Sequence, residues 1–192
     1  MRYNELTFQG RNAVLEAFRS GKTIDKLFIL DGCQDGPIKS IVREAKKTDA
    51  IINYVDKERL DRLAGTGHHQ GVVAIGAAYE YAEVEDILAA AKEKGEDPFI
   101  FILDEIEDPH NLGAIIRTAN LAGAHGVIIP KRRAVGLTAT VAKTSAGAIN
   151  YTPVAKVTNI SQTIEELKKQ GLWFVCADMG GETMYNLNLK GP

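Results

Sequence analysis

The stretch that most constrains this chain runs from Phe99 to Gly123. Phe99-Ile-Phe-Ile continues without alternation into Leu103 and Asp104. A strand with one wet face alternates apolar and polar residues. An unbroken run reads as a strand buried on both faces, the mark of a parallel sheet covered by helices. A polar loop follows over 105–111, with Pro109 in it. Leu112, Ile115, Ile116 and Ala119 then recur at helical spacing, and Gly123 stops the run. Strand, loop and helix make half of a βαβ unit. In open α/β sheets ligands collect beyond the carboxyl ends of the strands, so Asn111 and Arg117 fall where chemistry is usually done.

The rest of the chain alternates in the same way. The spacing predicts a helix over 10–20, a strand over 26–30 and a helix opened by Pro37. A strand over 51–55, a short helix over 57–63, a glycine-rich loop over 65–71 and a strand over 72–75 complete a small α/β unit, residues 1–78. Residues 79–97 read as an acidic linker with a short helix near 84–94. The second unit, residues 98–192, adds a strand over 126–129, a helix over 138–146, a strand near 153–155, a helix over 160–170 and a strand over 172–176. Sixteen mostly polar residues follow that strand, although a parallel sheet normally continues with a further strand and a covering helix.

Composition excludes several classes. No apolar run approaches the ~18–20 residues that cross a bilayer. The opening Met-Arg-Tyr-Asn-Glu lacks an apolar signal core, which leaves the cytoplasm as the expected compartment. Cys33 and Cys176 stand far apart and read as free thiols. His68 and His69 have no partners at metal-ligand spacing, so no metal is expected. GxGxxG, Walker A and GxSxG motifs are missing. Net charge is −2, so a polyanion would have to be met by a local patch.

Two clusters could supply that patch. Asn111 stands at a loop–helix junction, where it serves either as an N-cap or as part of a site. Arg117 lies beside Ile115 and Ile116. It either pairs with Asp104 or Asp108, or holds a phosphate or a ribose hydroxyl with its planar fork. Lys131, Arg132 and Arg133 follow a buried strand at the same strand-end face. They are either a solvated loop or phosphate contacts. His110 reads as a loop histidine that could also move a proton. The small residues 145–148 read either as a place of close backbone packing or as a direct ligand contact.

These residues compose a recognisable pattern. Leu103-Asp104, then Asp108-Pro-His-Asn-Leu-Gly-Ala-Ile-Ile-Arg-Thr-Ala119, resembles the first motif of the SpoU (TrmH-type) RNA ribose 2′-O-methyltransferases, within the knotted SPOUT class. The likeness continues through residues 123–137 and 142–148. Gly10-Arg-Asn-Ala-Val14 and His69-Gln-Gly-Val-Val-Ala74 resemble the substrate-binding domain of members that methylate a guanosine ribose in large-subunit (23S) ribosomal RNA. The resemblance implies an α/β fold with an N-terminal RNA-binding domain and a parallel-sheet, knotted methyltransferase domain. It implies S-adenosylmethionine as methyl donor, RNA as partner and a homodimer in the full-length form. It implies catalytic roles for Arg117 and Asn111, with Arg11, Lys131, Arg132 and Arg133 as RNA contacts. A guanidinium is a poor proton acceptor, so orienting the hydroxyl through its phosphate is the defensible role for Arg117. The family's two further motifs, which build the knot and most of the donor pocket, do not occur before Pro192. The expectation is therefore a domain truncated before the knot, with no donor-binding residues to name. A non-catalytic RNA-binding protein and a transfer-RNA ribose methylase are the alternatives.

Overall fold

The computed structural model describes residues 6–48, 50–65 and 68–192. The extreme N-terminus and the centre of the glycine-rich loop at Thr66 and Gly67 lie outside the described residues. The chain forms two compact units. One joins Met1–Glu80 with Asp108–Gly113 and Val135–Ala146, and the other joins Tyr81–Glu107 with Ala114–Ala134 and Gly147–Pro192.

The first unit contains β1 (Leu6–Gln9), α1 (Arg11–Arg19), β2 (Ile24–Leu30), α2 (Gly36–Lys47), β3 (Ile51–Val55), α3 (Lys57–Ala64) and β4 (Val72–Gly76). The sheet order is β1-β4-β2-β3. β2 and β3 run parallel, while β4 is antiparallel to both β1 and β2. Alternation along β2 explains the layering. Leu27 and Ile29 join Val14, Ile38 and Ile41 on one face. Phe28 joins Leu60 and Val73 on the other. α1 and α2 therefore cover one side and α3 the other, and each buried Leu, Ile or Phe contributes about 1.5–3 kcal/mol. Asp35 caps α2 by accepting the Ile38 N–H at 3.2 Å, and Asp56 caps α3 by accepting the Arg59 N–H at 2.7 Å. β1 is not among the expected strands, although Leu6, Thr7, Phe8 and Gln9 alternate apolar and polar; pairing with β4 holds it.

The second unit contains α4 (Val84–Lys94), β5 (Ile100–Ile102), β6 (Gly126–Pro130), β7 (Val154–Val157) and α7 (Ile160–Lys169). α5 (Pro109–Leu121) begins in the first unit and ends in the second, and α6 (Ala139–Thr144) belongs to the first. The three strands are parallel in the order β5-β6-β7. The strand expected over 99–104 is shorter and only half-buried, with Phe99 46 % exposed. β5 pairs only with β6, so the strand that is buried throughout is β6, which has a neighbour on each side.

The strand expected over 172–176 does not form. Its alternation survives. Leu172 and Phe174 pack on the cluster of Ile87, Ile128, Ala155 and Leu167, while Trp173 and Val175 face solvent. What it lacks is a ladder, since the Trp173 N–H is taken by the Pro192 carbonyl at 3.1 Å. Two close approaches tighten the units. A Cβ on Gly113 would meet Thr144 Oγ1 and lie 2.9 Å from the Ser145 nitrogen, so α5 approaches the end of α6 closely at this glycine. A Cβ on Gly126 would lie 2.5–2.8 Å from the Ile87 side chain, which packs α4 against β6.

Candidate functional site

In α5 the chain turns from loop to helix at Asp108. The Asp108 carboxylate accepts the His110 N–H at 2.8 Å, and Pro109 takes the first helical position, where its missing N–H costs nothing. Asp108 is therefore the cap, and Asn111 is not; it sits exposed in the first turn. His110 is exposed beside it. Arg117, in the third turn, is exposed and its side chain makes no hydrogen bond or ion pair among the described residues. Of the two alternatives for Arg117, pairing with Asp104 or Asp108 is not seen among the described residues. Those carboxylates accept backbone N–H groups instead, Asp104 from Glu105 at 3.1 Å and Asp108 from His110.

The loops that leave the carboxyl ends of β5 and β6 are tied together. Arg133 Nη1 donates to Glu105 Oε1 at 2.8 Å. Both residues hold left-handed backbone, φ 57° at Arg133 and 55° at Glu105, a conformation that costs a residue with a Cβ roughly 1–2 kcal/mol. Lys131 is half-buried and partnered, and its N–H extends the ladder to the Val157 carbonyl at 2.7 Å. Arg132 is exposed and without a side-chain partner among the described residues. The basic run thus divides into one partnered lysine, one arginine open to a ligand and one arginine shared with Glu105.

Arg11 stands in the first unit, at the start of α1. Its Nη2 donates to Asp35 Oδ2 at 2.5 Å and its Nε to the Gln70 carbonyl at 3.2 Å. A phosphate that reached Arg11 would share it with Asp35. Behind this contact lies a support that sequence spacing did not reveal. His69 is buried; its Nδ1 accepts the Gly71 N–H at 3.0 Å and its Nε2–H donates to Asp61 Oδ1 at 2.8 Å. Lys57 donates to the other Asp61 oxygen at 2.8 Å. That hydrogen bond first, and the one from His69 second, hold the Asp61 carboxyl below the usual carboxylate range. His125 repeats the pattern in the second unit, accepting from the Phe99 N–H at 3.1 Å and donating to Glu96 at 3.0 Å. A histidine followed two residues later by glycine was the one available sign of the His69 turn.

Among the described residues no group of three His, Cys, Asp or Glu side chains could hold a metal ion, and no helix is long and apolar enough to cross a membrane. Residues 175–191, beyond the partly packed Leu172 and Phe174, are exposed and carry only a 3₁₀ turn at Met184–Asn186. They offer no walls for S-adenosylmethionine, and no residue is assigned to holding it.

Comparison with known proteins decides the family. The SpoU rRNA Methylase family matches residues 98–192, and the RNA 2′-O ribose methyltransferase substrate-binding family matches residues 9–82. A protein of Bacillus subtilis named as a TrmH family tRNA/rRNA methyltransferase, YacO, is 54 % identical over 169 residues, which is 88 % of this chain and 68 % of YacO. The chain belongs to the SpoU (TrmH) methyltransferase family. A TrmH family relative from Staphylococcus haemolyticus is 47 % identical over 94 % of this chain and 72 % of its own length. Among solved structures, the AdoMet-bound rRNA methyltransferase of Sinorhizobium meliloti aligns at 22 % identity and TM-score 0.39 over 84 % of this chain. AviRb of Streptomyces viridochromogenes, solved with AdoMet, aligns at 18 % identity and TM-score 0.42 over 87 % of this chain. The chain spans 58 % and 59 % of those two structures.

Proposed function

We propose that this SpoU-family chain belongs to an enzyme that transfers a methyl group from S-adenosylmethionine to a ribose 2′-hydroxyl of RNA, a guanosine of 23S ribosomal RNA, in the cytoplasm. The observation that carries the reading is the order of the two family matches, substrate binding over residues 9–82 and methylase over 98–192. Residues 1–78 receive RNA and residues 98–192 contribute to the methyltransferase domain, which works as a homodimer. The donor supplies an electrophilic methyl group; the chain's own task is positioning, which can supply most of the acceleration of such a displacement. Arg117 suits that task because its charged fork is exposed and unclaimed among the described residues. It binds the phosphate beside the target ribose and so orients the hydroxyl. Asn111, in the first turn of the same helix, supports its placement. Arg132, Arg133 and Lys131 line the RNA backbone, with Arg133 exchanging Glu105 for phosphate, and Arg11, whose charge Asp35 already meets, contacts RNA from the first unit.

A second reading is that the chain binds RNA without catalysing transfer; the match of residues 9–82 to the RNA 2′-O ribose methyltransferase substrate-binding family favours it. The test uses methyl-labelled donor with 23S RNA and, separately, bulk transfer RNA, each from a strain lacking the gene. Label in one 23S guanosine, lost in Arg117→Ala while RNA affinity falls only by the worth of one phosphate contact, supports the first reading. Tight RNA binding without label supports the second. Label confined to transfer RNA would overturn the choice of substrate.

A further inference from the structure

The first unit holds an open cleft of about 590 Å³, lined by Arg11, Asn12, Leu30, Pro37, Gln70 and Gly71, with Cys33 at its floor. Its volume lies within the range of pockets that take small ligands. The chemistry of its walls is mixed. Leu30 and Pro37 are apolar. Asn12 is exposed and its carboxamide has no partner among the described residues. Gln70 spends its Oε1 on the Arg11 N–H at 3.1 Å, which leaves its Nε2 hydrogens for a ligand. Arg11 is the least free of the group. Its Nε and Nη2 are committed to Gln70 and Asp35, and Nη2 lies 4.0 Å from Cys33 Sγ. The plane of the guanidinium is therefore fixed, and its charge is already met by a carboxylate. What remains for a ligand is the flat face and the Nη1 donors, which suit a stacked aromatic ring better than a phosphate.

The cleft is also held in place at a backbone cost. Gln70 has φ 51°, in the left-handed region, and Gly71 follows at 81°. A Cβ on Gly71 would come 3.2 Å from Cys33 Sγ, a tight approach at a position whose φ of 81° already favours glycine. The His69 clamp on the Gly71 N–H, backed by Asp61 and Lys57, holds this turn. Non-glycine residues kept in this conformation by surrounding bonds mark sites where geometry serves a function.

We propose that this cleft takes a single unstacked nucleobase of the RNA. The base stacks on the Arg11 guanidinium and the Leu30 and Pro37 walls, and Asn12 and Gln70 bond its edge, the way single-stranded RNA is commonly read. His69 is a positioning residue for Gln70. The proposal rests on RNA being the substrate, and it adds where and by what chemistry one base is read.

The test is an amide-resolved NMR titration of the whole chain with each nucleoside 5′-monophosphate, with ribose 5-phosphate and inorganic phosphate as controls. Saturable shifts at Arg11, Asn12, Gln70 and Gly71, including the Asn12 and Gln70 side-chain NH₂ signals, are expected with at least one nucleotide and with neither control. Asn12→Ala, at an exposed position that leaves the fold alone, should weaken that binding roughly three- to tenfold, the worth of one hydrogen bond. His69→Asn should broaden the Gln70 and Gly71 signals and weaken binding without touching the base. Equal shifts with ribose 5-phosphate or phosphate would reduce the cleft to an anion site and overturn the proposal. So would unmoved cleft signals, or equal binding by Asn12→Ala. Binding of a 23S RNA fragment, measured on the same samples, separates the two levels. RNA binding without nucleotide shifts sinks the cleft alone, whereas failure to bind RNA sinks the wider reading with it.

Discussion

Gly113→Ala tests the contact between α5 and α6 inside the first unit. The added methyl would meet Thr144 Oγ1, lie 2.8 Å from Thr144 Cβ and 2.9 Å from the Ser145 nitrogen. Thr144 cannot simply swing aside, because its hydroxyl donates within α6 to the Thr140 carbonyl at 2.9 Å and its Cβ is fixed to the backbone. The Ser145 nitrogen is main chain and moves only with α6. Alanine in place of glycine in a helix gains about 1 kcal/mol from backbone entropy. Overpacking a tight contact costs about 1–3 kcal/mol, and a clash against main chain belongs at the upper end. The net expectation is a loss of about 1–2 kcal/mol. With a urea slope near 2 kcal/mol per molar, the circular-dichroism midpoint should fall by roughly 0.5–1 M. Gly180→Ala, where an added Cβ meets nothing within 4 Å, is the control and should shift stability by no more than about 0.5 kcal/mol. Adding Thr144→Ala to Gly113→Ala should recover part of the loss. A Gly113→Ala midpoint at or above that of the unmodified chain would refute the claim that the helices need a bare α-carbon there.

Ile128→Ala, at a position with no exposure in the second unit's core, should cost about 2–5 kcal/mol, while Leu121→Ala at 82 % exposure should be nearly silent by the same urea measurement. The lowered Asp61 pKa means that the ionised network stabilises the fold above the unfolded aspartate value and is lost as pH falls through the folded one, in the region below about pH 4. Lys57→Ala should therefore move the Asp61 carboxyl titration upward by carbon-13 NMR, and an unmoved midpoint would contradict the assignment of Lys57 as the leading cause. Glu105→Gln frees Arg133 at an exposed pair worth at most about 1 kcal/mol, so it should leave stability nearly unchanged. If Arg133 meets phosphate, the same variant should tighten RNA binding and steepen its salt dependence, and an unchanged salt slope would count against that role.

Much of the secondary structure was legible because it is local. The helices at 11–19, 36–47 and 84–94 declare themselves by apolar spacing, and the second also by Pro37 in its first turn. The start of α5 is legible too: Asp108 before Pro109 is a stronger sign of a helix start than Asn111 three residues later. What the sequence hid is non-local. β1 exists through its pairing with β4, more than sixty residues on. The 172–176 segment has the alternation of a strand but joins no ladder among the described residues, and periodicity reports only the first of these. For the candidate site, the charges could be read but their state of engagement could not. Nothing near Arg11 in sequence foretells that Asp35 and Gln70 hold it, and nothing near His69 foretells burial between Asp61 and a glycine amide.

The division of the chain has a consequence for folding in time. The first unit is not finished at Glu80, because it also needs Asp108–Gly113 and Val135–Ala146, and the Ala78 N–H finds its acceptor only on Leu137. A ribosome adding 5–20 residues per second takes roughly 3–13 s to pass from residue 80 to residue 146. Through that interval the first seventy-odd residues have their sheet but not their last helix, and the stretch made in between includes β5 and β6 of the other unit. Synthesis therefore interleaves the two units, and a pause or cleavage between residues 80 and 135 would leave both incomplete.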